Sequence, residues 1–117
     1  MNILEFKKKS IDERSLVRQQ MTQRSPGYYP VLIQIYDSEG NPEGTMKAVM
    51  VPPNSQFTFV IRRLRSTSSL QKDEVFHFSV GNRIILPNHL INSIYESMKD
   101  TQDGLLYVIA KKMPAGG

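Results

Sequence analysis

The sequence predicts an α+β fold in a single domain. Three features carry that expectation. Runs rich in β-branched and aromatic residues occur at 29–36, 45–51, 75–80 and 105–110, with a shorter one at 83–86. Two segments with apolar residues at helical spacing lie among them, and a polar helical segment precedes them all. A chain of 117 residues that is 39% hydrophobic, with no low-complexity run, suits one core.

Taken in order, Ser10-Ile11-Asp12-Glu13 has the spacing of a capping box, with Ser10 as N-cap and Glu13 three residues on. The helix it opens carries Leu16, Val17 and Met21 on one side, among Arg14, Arg18, Gln20 and Arg24. Pro26-Gly27 ends it, and a short helix over 3–9 precedes it. In the strand at 29–36, Val31, Ile33 and Ile35 share a face. Residues 37–44 form a polar turn, and 45–51 return as the second arm of a hairpin that Pro52-Pro53 stops. Asn54 is the expected cap of a helix whose apolar positions are Phe57, Val60, Ile61 and Leu64, with Arg62, Arg63 and Arg65 on its outer side and at its end. A loop at 66–69, a strand at 75–80, a Gly81-Asn82 turn and a short extended piece follow. Asn88 is the expected cap of a helix with Ile91, Ile94, Tyr95 and Met98 at i, i+3, i+4 and i+7. A turn at 100–104 leads to the last strand, 105–110.

A hairpin, a helix across it, and later strands completing a mixed sheet form the β-grasp arrangement of ubiquitin. The first and last strands then pair in parallel at the centre, and the N-terminal helices are an addition. A ferredoxin-like order of the same elements is the alternative. The expected organisation is an N-terminal helical extension over 1–27, a ubiquitin-like core over 28–110 and a flexible C-terminal conjugation tail over 111–117.

Composition excludes several functions. With no cysteine there is no disulfide, thiolate metal site or thiol nucleophile. His77 and His89 stand apart without a carboxylate at ligand spacing, so no metal is expected. No catalytic Ser/His/Asp set, phosphate loop or dinucleotide fingerprint occurs. The chain reads as a non-enzyme without catalytic residues or cofactors. No apolar run approaches the roughly 20 residues of a membrane span. Lys7-Lys8-Lys9 is not followed by the apolar run of a secretory signal. The net charge of +4 favours acidic partners or anionic surfaces and is too small to indicate nucleic acid. Arg62-Arg63-Leu64-Arg65 and the three lysines are either solvated faces or contacts for such partners. The chain ends on Gly116-Gly117. Lacking a Cβ, such an end can lie extended in a narrow channel and present an unhindered carboxylate.

Several pieces in order are also familiar: Ile11-Asp12-Glu13-Arg14, Tyr29-Pro30-Val31-Leu32, Val51-Pro52, Val60-Ile61, Leu64-Arg65, Leu70, Ile94-Tyr95, Lys99-Asp100 and 103–108, with a glycine about seven residues past the last predicted strand. On these the chain resembles the autophagy-related ubiquitin-like modifiers, the group of light chain 3 and the GABA-receptor-associated protein. It departs from them in having Gly116 where an aromatic residue is usual, a longer turn at 100–103, and Tyr28 and Ser55 at positions often basic and leucine. The resemblance implies a ubiquitin core with two extra N-terminal helices. It implies trimming to Gly117 by a cysteine protease, so that this chain is the mature form. An activating enzyme and then a conjugating enzyme would pass the Gly117 carboxylate to phosphatidylethanolamine. The protein would be cytoplasmic, and on the autophagosome membrane surface after lipidation.

The resemblance further implies a groove for cargo receptors carrying an aromatic residue, two variable residues and an aliphatic one, added as a strand beside residues 47–51. Its aromatic pocket would use Val17, Met21, Pro30, Leu32, Met50 and Leu105. Its aliphatic pocket would use Val49, Val51, Pro52, Val60 and Leu64, with Lys47 and Arg65 at the rim. Most of these would be core residues in any β-grasp domain. Val49 and Met50 are more telling, since adjacent strand residues face opposite sides and both are apolar. The alternatives are a modifier joined to a protein lysine, which a Gly116-Gly117 end also suits, and a non-covalent basic binding module.

Overall fold

A computed structural model describes residues 1–68 and 70–115. Two helices lead, α1 (Ile3–Lys7) and α2 (Ile11–Arg24), followed by β1 (Tyr29–Tyr36), β2 (Pro42–Val51), α3 (Thr58–Thr67), β3 (Glu74–Val80), β4 (Arg83–Ile85), α4 (Ile91–Met98) and β5 (Leu106–Pro114). The five strands form one sheet in the order β2-β1-β5-β3-β4. β1 and β5 pair in parallel, Leu32 opposite Tyr107, and the other pairings are antiparallel. This is the β-grasp order, not the ferredoxin-like one.

β1 is covered on both faces, which is why it reads as a near-continuous apolar run. Val31, Ile33 and Ile35 join Leu106, Val108 and Ala110 under Val60, Ile61 and Leu64 of α3 and Ile91, Ile94 and Tyr95 of α4. Leu32 joins Leu105 and Tyr107 on the opposite face, beneath Ile3 and Phe6 of α1. Gln34 is the polar exception, fully buried where the β1–β2 register shifts between Ile33 and Ile35. Its Oε1 accepts from the Ile3 amide at 2.9 Å, and its Nε2 donates to the Glu43 and Gly44 carbonyls. The Met46 amide donates to the Met1 carbonyl at 3.0 Å. Gln34 and the N-terminus therefore satisfy backbone groups that the bulge takes out of the ladder.

The expected caps Asn54 and Asn88 do not cap. α3 starts after Phe57 and α4 after Leu90, neither with a side-chain cap. The leading loops cap each other's helix instead. The Phe57 and Thr58 amides donate to the His89 and Pro87 carbonyls, and the Ile91 amide donates to the Ser55 carbonyl at 2.9 Å. Ser10 caps α2 through the Glu13 amide, while the Glu13 carboxylate turns to Lys9 at 3.6 Å. A full capping box forms one helix earlier, between Asn2 and Glu5. α3 continues through Thr67 where a loop was expected, and Ser69 lies outside the described residues.

The tail expected from residue 111 begins later. β5 carries on to Pro114, with Lys111, Lys112 and Met113 opposite His77, Phe76 and Val75. Lys112 also meets Glu43 at 2.7 Å. Lys111 pairs with β1 as well as β3, and beyond it β3 alone keeps the stretch in the sheet. Gly116 and Gly117 lie outside the described residues. Among the described residues no helix is long and apolar enough to cross a membrane.

Candidate functional site

β2 forms one edge of the sheet, hydrogen-bonded to β1 alone among the strands. Its residues 47–51 pair with Tyr29, Pro30, Val31, Leu32 and Ile33 of β1. Their side chains alternate between the two faces of the sheet, and each face carries part of the expected groove.

On the α1/α2 face, Pro30 lies directly opposite Met50. Leu32 and Leu105 are buried in the same layer, with Val17 and Met21 of α2 packed against them. The six residues of the expected aromatic pocket thus belong to one face. Pro30, Leu32 and Leu105 form its interior, while Val17, Met21 and Met50 are half-buried and reachable.

On the other face, β2 and α3 bound a cleft of about 370 Å³. Val49 and Leu64 line it, with Ile33 and Ala48. Of the expected aliphatic set, half-buried Val49 lines the cleft and buried Leu64 forms its floor, while Val51 and Val60 are core residues and half-buried Pro52 does not line it. Lys47, one of the two expected rim cations, also lines it. Arg65 does not. It lines a separate apolar cavity against Phe76, Phe78 and Ile85, because it projects from the other flank of α3. The second cation at the cleft is Arg63, which also packs over Phe59 at 5.9 Å. A helical turn places 63, 64 and 67 together and sends 61 and 65 away, so the spacing from Leu64 was the signal for Arg63.

Beyond the packing of Val17 and Met21, polar contacts hold α2 in place. α2 has no buried residue, and Leu16, expected beside Val17 and Met21, is 53% exposed. Arg14 and Arg18, four residues apart and so on one face, reach the turn before β5. Arg14 Nη1 donates to Asp103 Oδ2 at 2.9 Å, and Arg18 Nε donates to the Asp103 carbonyl at 2.9 Å. Asp103 is 1% exposed. Its Oδ1 accepts from the Leu105 amide at 2.8 Å, and its Oδ2 accepts from the Tyr107 hydroxyl. This clamp was not foreseen, though Arg14 and Arg18 on one face of a weakly apolar helix pointed to it. It helps fix Val17 and Met21 over Leu32 and Leu105, on the side where the aromatic pocket is expected.

Gly104 is part of the clamp. Its φ is +76°, and a Cβ there would meet Arg18 Cδ at 2.5 Å. Gly104→Ala is expected to cost about 1–2 kcal/mol from backbone conformation alone. It also displaces Arg18, which is read as faster amide exchange in α2 than in α3.

Burial, followed by the hydrogen bond to Asp103, pushes the Tyr107 phenol far above its usual range. Burial raises Tyr95 too. The folded protein therefore keeps protons that the unfolded chain releases above about pH 10. The unfolded state then binds fewer protons, so stability falls as pH rises beyond that value. Urea midpoints at pH 8 and 11 are expected to differ less for Tyr107→Phe than for the wild type.

No family model matches the chain. It is 31% identical over 102 residues to autophagy-related protein 8D of Oryza sativa subsp. japonica, covering 85% of this chain and 84% of that protein. Among solved structures, Trypanosoma brucei ATG8 superposes with a TM-score of 0.75 at 18% identity, over 94% of each chain. Plasmodium falciparum Atg8, solved in complex with a Plasmodium falciparum Atg3 peptide, superposes with a TM-score of 0.69 at 22% identity, over 97% of this chain and 100% of that one.

Proposed function

The chain belongs to the autophagy-related protein 8 family of ubiquitin-like modifiers, and we propose that its Gly117 carboxylate is joined to phosphatidylethanolamine and that the membrane-held domain recruits partners along the edge of β2. It is a modifier and binding adaptor, not an enzyme.

The carrying observation is that the open edge of β2 has accessible apolar side chains on both of its faces, Met50 with Val17 and Met21 on one and Val49 on the other, where buried Leu64 floors the cleft. A peptide added as a strand sends residues three apart to opposite faces. An aromatic-x-x-aliphatic motif therefore offers one anchor to each side, while its backbone pairs with residues 47–51. Cargo receptors with that motif are the proposed partners. A peptide of the conjugating enzyme is another, supported by the Plasmodium complex with an Atg3 peptide. A processing cysteine protease and an activating enzyme complete the set.

Lipid attachment makes the protein membrane-bound without a spanning helix, because the two acyl chains of the acceptor anchor stably where one chain does not. The proposed locations are the cytoplasm before attachment and the autophagosome membrane after it. The test is incubation with the activating and conjugating enzymes, ATP and phosphatidylethanolamine vesicles. The expected product floats with the vesicles and carries the phospholipid mass. A branched peptide on a protein lysine, with no lipid mass, would instead support the reading that the Gly116-Gly117 end shares with ubiquitin.

Lys47 and Arg63 are the cations positioned for acidic residues flanking a partner motif. Reversing both, Lys47→Glu with Arg63→Glu, is expected to slow association of an acidic-flanked motif peptide about tenfold at low salt, with the effect shrinking as salt screens it. Arg65→Glu leaves association within about twofold, as expected of a charge off the contact. Stopped-flow binding at two ionic strengths checks both.

A further inference from the structure

A second cleft, of about 560 Å³, lies away from the β2 edge, among the Gly81-Asn82 turn, the end of α4 and β5. This is within the size range of small-ligand sites. Tyr107 and Ile109 of β5, Val80 of β3 and Met98 of α4 give it apolar walls. Lys7 of α1 and Arg83 of β4 bring cations to it from two separate elements. Lys7 Nζ sits 4.5 Å from the centre of the Tyr107 ring.

The cations outnumber the carboxylates in this cleft. Asp100 is its one carboxylate, and that carboxylate is engaged elsewhere. Its Oδ1 accepts from the Gln102 and Asp103 amides at 2.8 and 3.1 Å, and its Oδ2 lies 3.9 Å from Arg14 Nη1. Among the described residues, neither Lys7 nor Arg83 has an ion-pair partner. Two exposed cations beside an apolar wall call for a ligand with concentrated negative charge and an apolar body.

We propose that this cleft binds a phosphomonoester whose apolar part rests against Tyr107, Ile109 and Met98. A phosphomonoester carries about −1.5 to −2 charge at neutral pH and three acceptor oxygens, enough to engage Lys7 and Arg83 at once. The arginine fork can take two phosphate oxygens at once, and the lysine adds a point charge. A lipid headgroup and a soluble ester share this chemistry. Lys7 and Arg83 take no part in the proposed partner groove, so the two readings fail separately.

The test is titration of the full ¹⁵N-labelled chain with phenyl phosphate, alongside phenol and inorganic phosphate, followed by amide shifts. Flotation with phosphatidylcholine vesicles, with and without phosphatidic acid, forms the lipid arm. Phenyl phosphate is expected to shift the amides of 81–83, 98–100 and 107, with phenol causing no such shifts. Lys7→Gln and Arg83→Gln are each expected to weaken binding about tenfold, the scale of one charged hydrogen bond. Lys99→Gln, outside the cleft and close to Glu96 at 3.8 Å, leaves it unchanged. Flotation that depends on both phosphatidic acid and Arg83 assigns the lipid source. Phenyl phosphate binding without flotation assigns a soluble one. Shifts centred elsewhere, wild-type affinity in both Gln variants, or no shifts at millimolar phenyl phosphate would each overturn the proposal.

Discussion

Asp103→Ala is expected to lower the unfolding free energy by about 3–5 kcal/mol, the usual cost of removing one partner from a buried ion pair. For a domain of this size that corresponds to a fall in Tm of roughly 12–20 °C. Three groups lose their acceptor at once. Arg14, whose side chain is 11% exposed, keeps a charge without its 2.9 Å partner. The Tyr107 hydroxyl and the Leu105 amide are left as buried donors. Asp100, at 3.9 Å from Arg14, is too distant to replace the contact. Asp103→Asn can still accept from Leu105 and Tyr107 but cannot neutralise Arg14, so it is expected to fall between alanine and wild type.

The same substitution reaches the proposed groove. α2 has no buried residue of its own, so loss of the clamp frees Val17 and Met21 from Leu32 and Leu105. Hydrogen exchange over 11–24 should quicken ahead of exchange in β1 and β5, and a motif peptide should bind more weakly at temperatures where the fold is intact. Arg14→Met with Asp103→Leu separates the two effects. It removes both charges together, and apolar replacement of a buried pair is often neutral or better. A Tm for Asp103→Ala within about 2 °C of the wild type would show that the clamp holds nothing.

The apolar pattern made the sheet and both long core helices legible. The run at 29–36 reads as a strand with Val31, Ile33 and Ile35 on one face, and Phe57, Val60, Ile61 and Leu64 read as a helix across the hairpin; that β1 is covered on both faces comes from the packing. Contacts set by distant backbone were not legible. Asn54 and Asn88 are good caps by type, yet the carbonyls of Ser55, Pro87 and His89 do that work. Gln34 reads as one polar residue in an apolar strand, and its value depends on a bulge that exists only once β2 pairs with β1. The groove residues were legible as apolar but not as accessible. Val51 and Val60 differ from Val49 only in burial, and burial is a property of the packed molecule. Arg65 was misplaced by a helix rotation that one residue decides, and Arg63 took its position at the cleft.

Deleting Gly117 is expected to abolish conjugation although the chain would still end in glycine, and the end of β5 is the reason. A free tail over 111–117 would reach about 23 Å from the sheet at full extension. The strand instead continues to Pro114, and the Ala115 amide donates to the Asp73 carbonyl at 2.6 Å. On the proposed attachment at Gly117, two residues separate Ala115 from the bond, a reach of about 7 Å. On that reading, an activating enzyme would have to approach the sheet that closely or peel Lys111, Lys112 and Met113 from β3. Losing Gly117 removes about half of that reach, and misplacement of a reacting group by even about 1 Å can cost about 100-fold in rate. Gly117→Ala keeps the length and tests the other requirement, a Cβ beside the carboxylate in a channel suited to glycine. It is also expected to lose about 100-fold. A glycine inserted before Gly116 lengthens the reach and should conjugate at least as fast as the wild type. Conjugate formed per minute with the activating and conjugating enzymes reads all three variants. Equal rates for the wild type and the Gly117 deletion would mean that Gly117 is not the point of attachment.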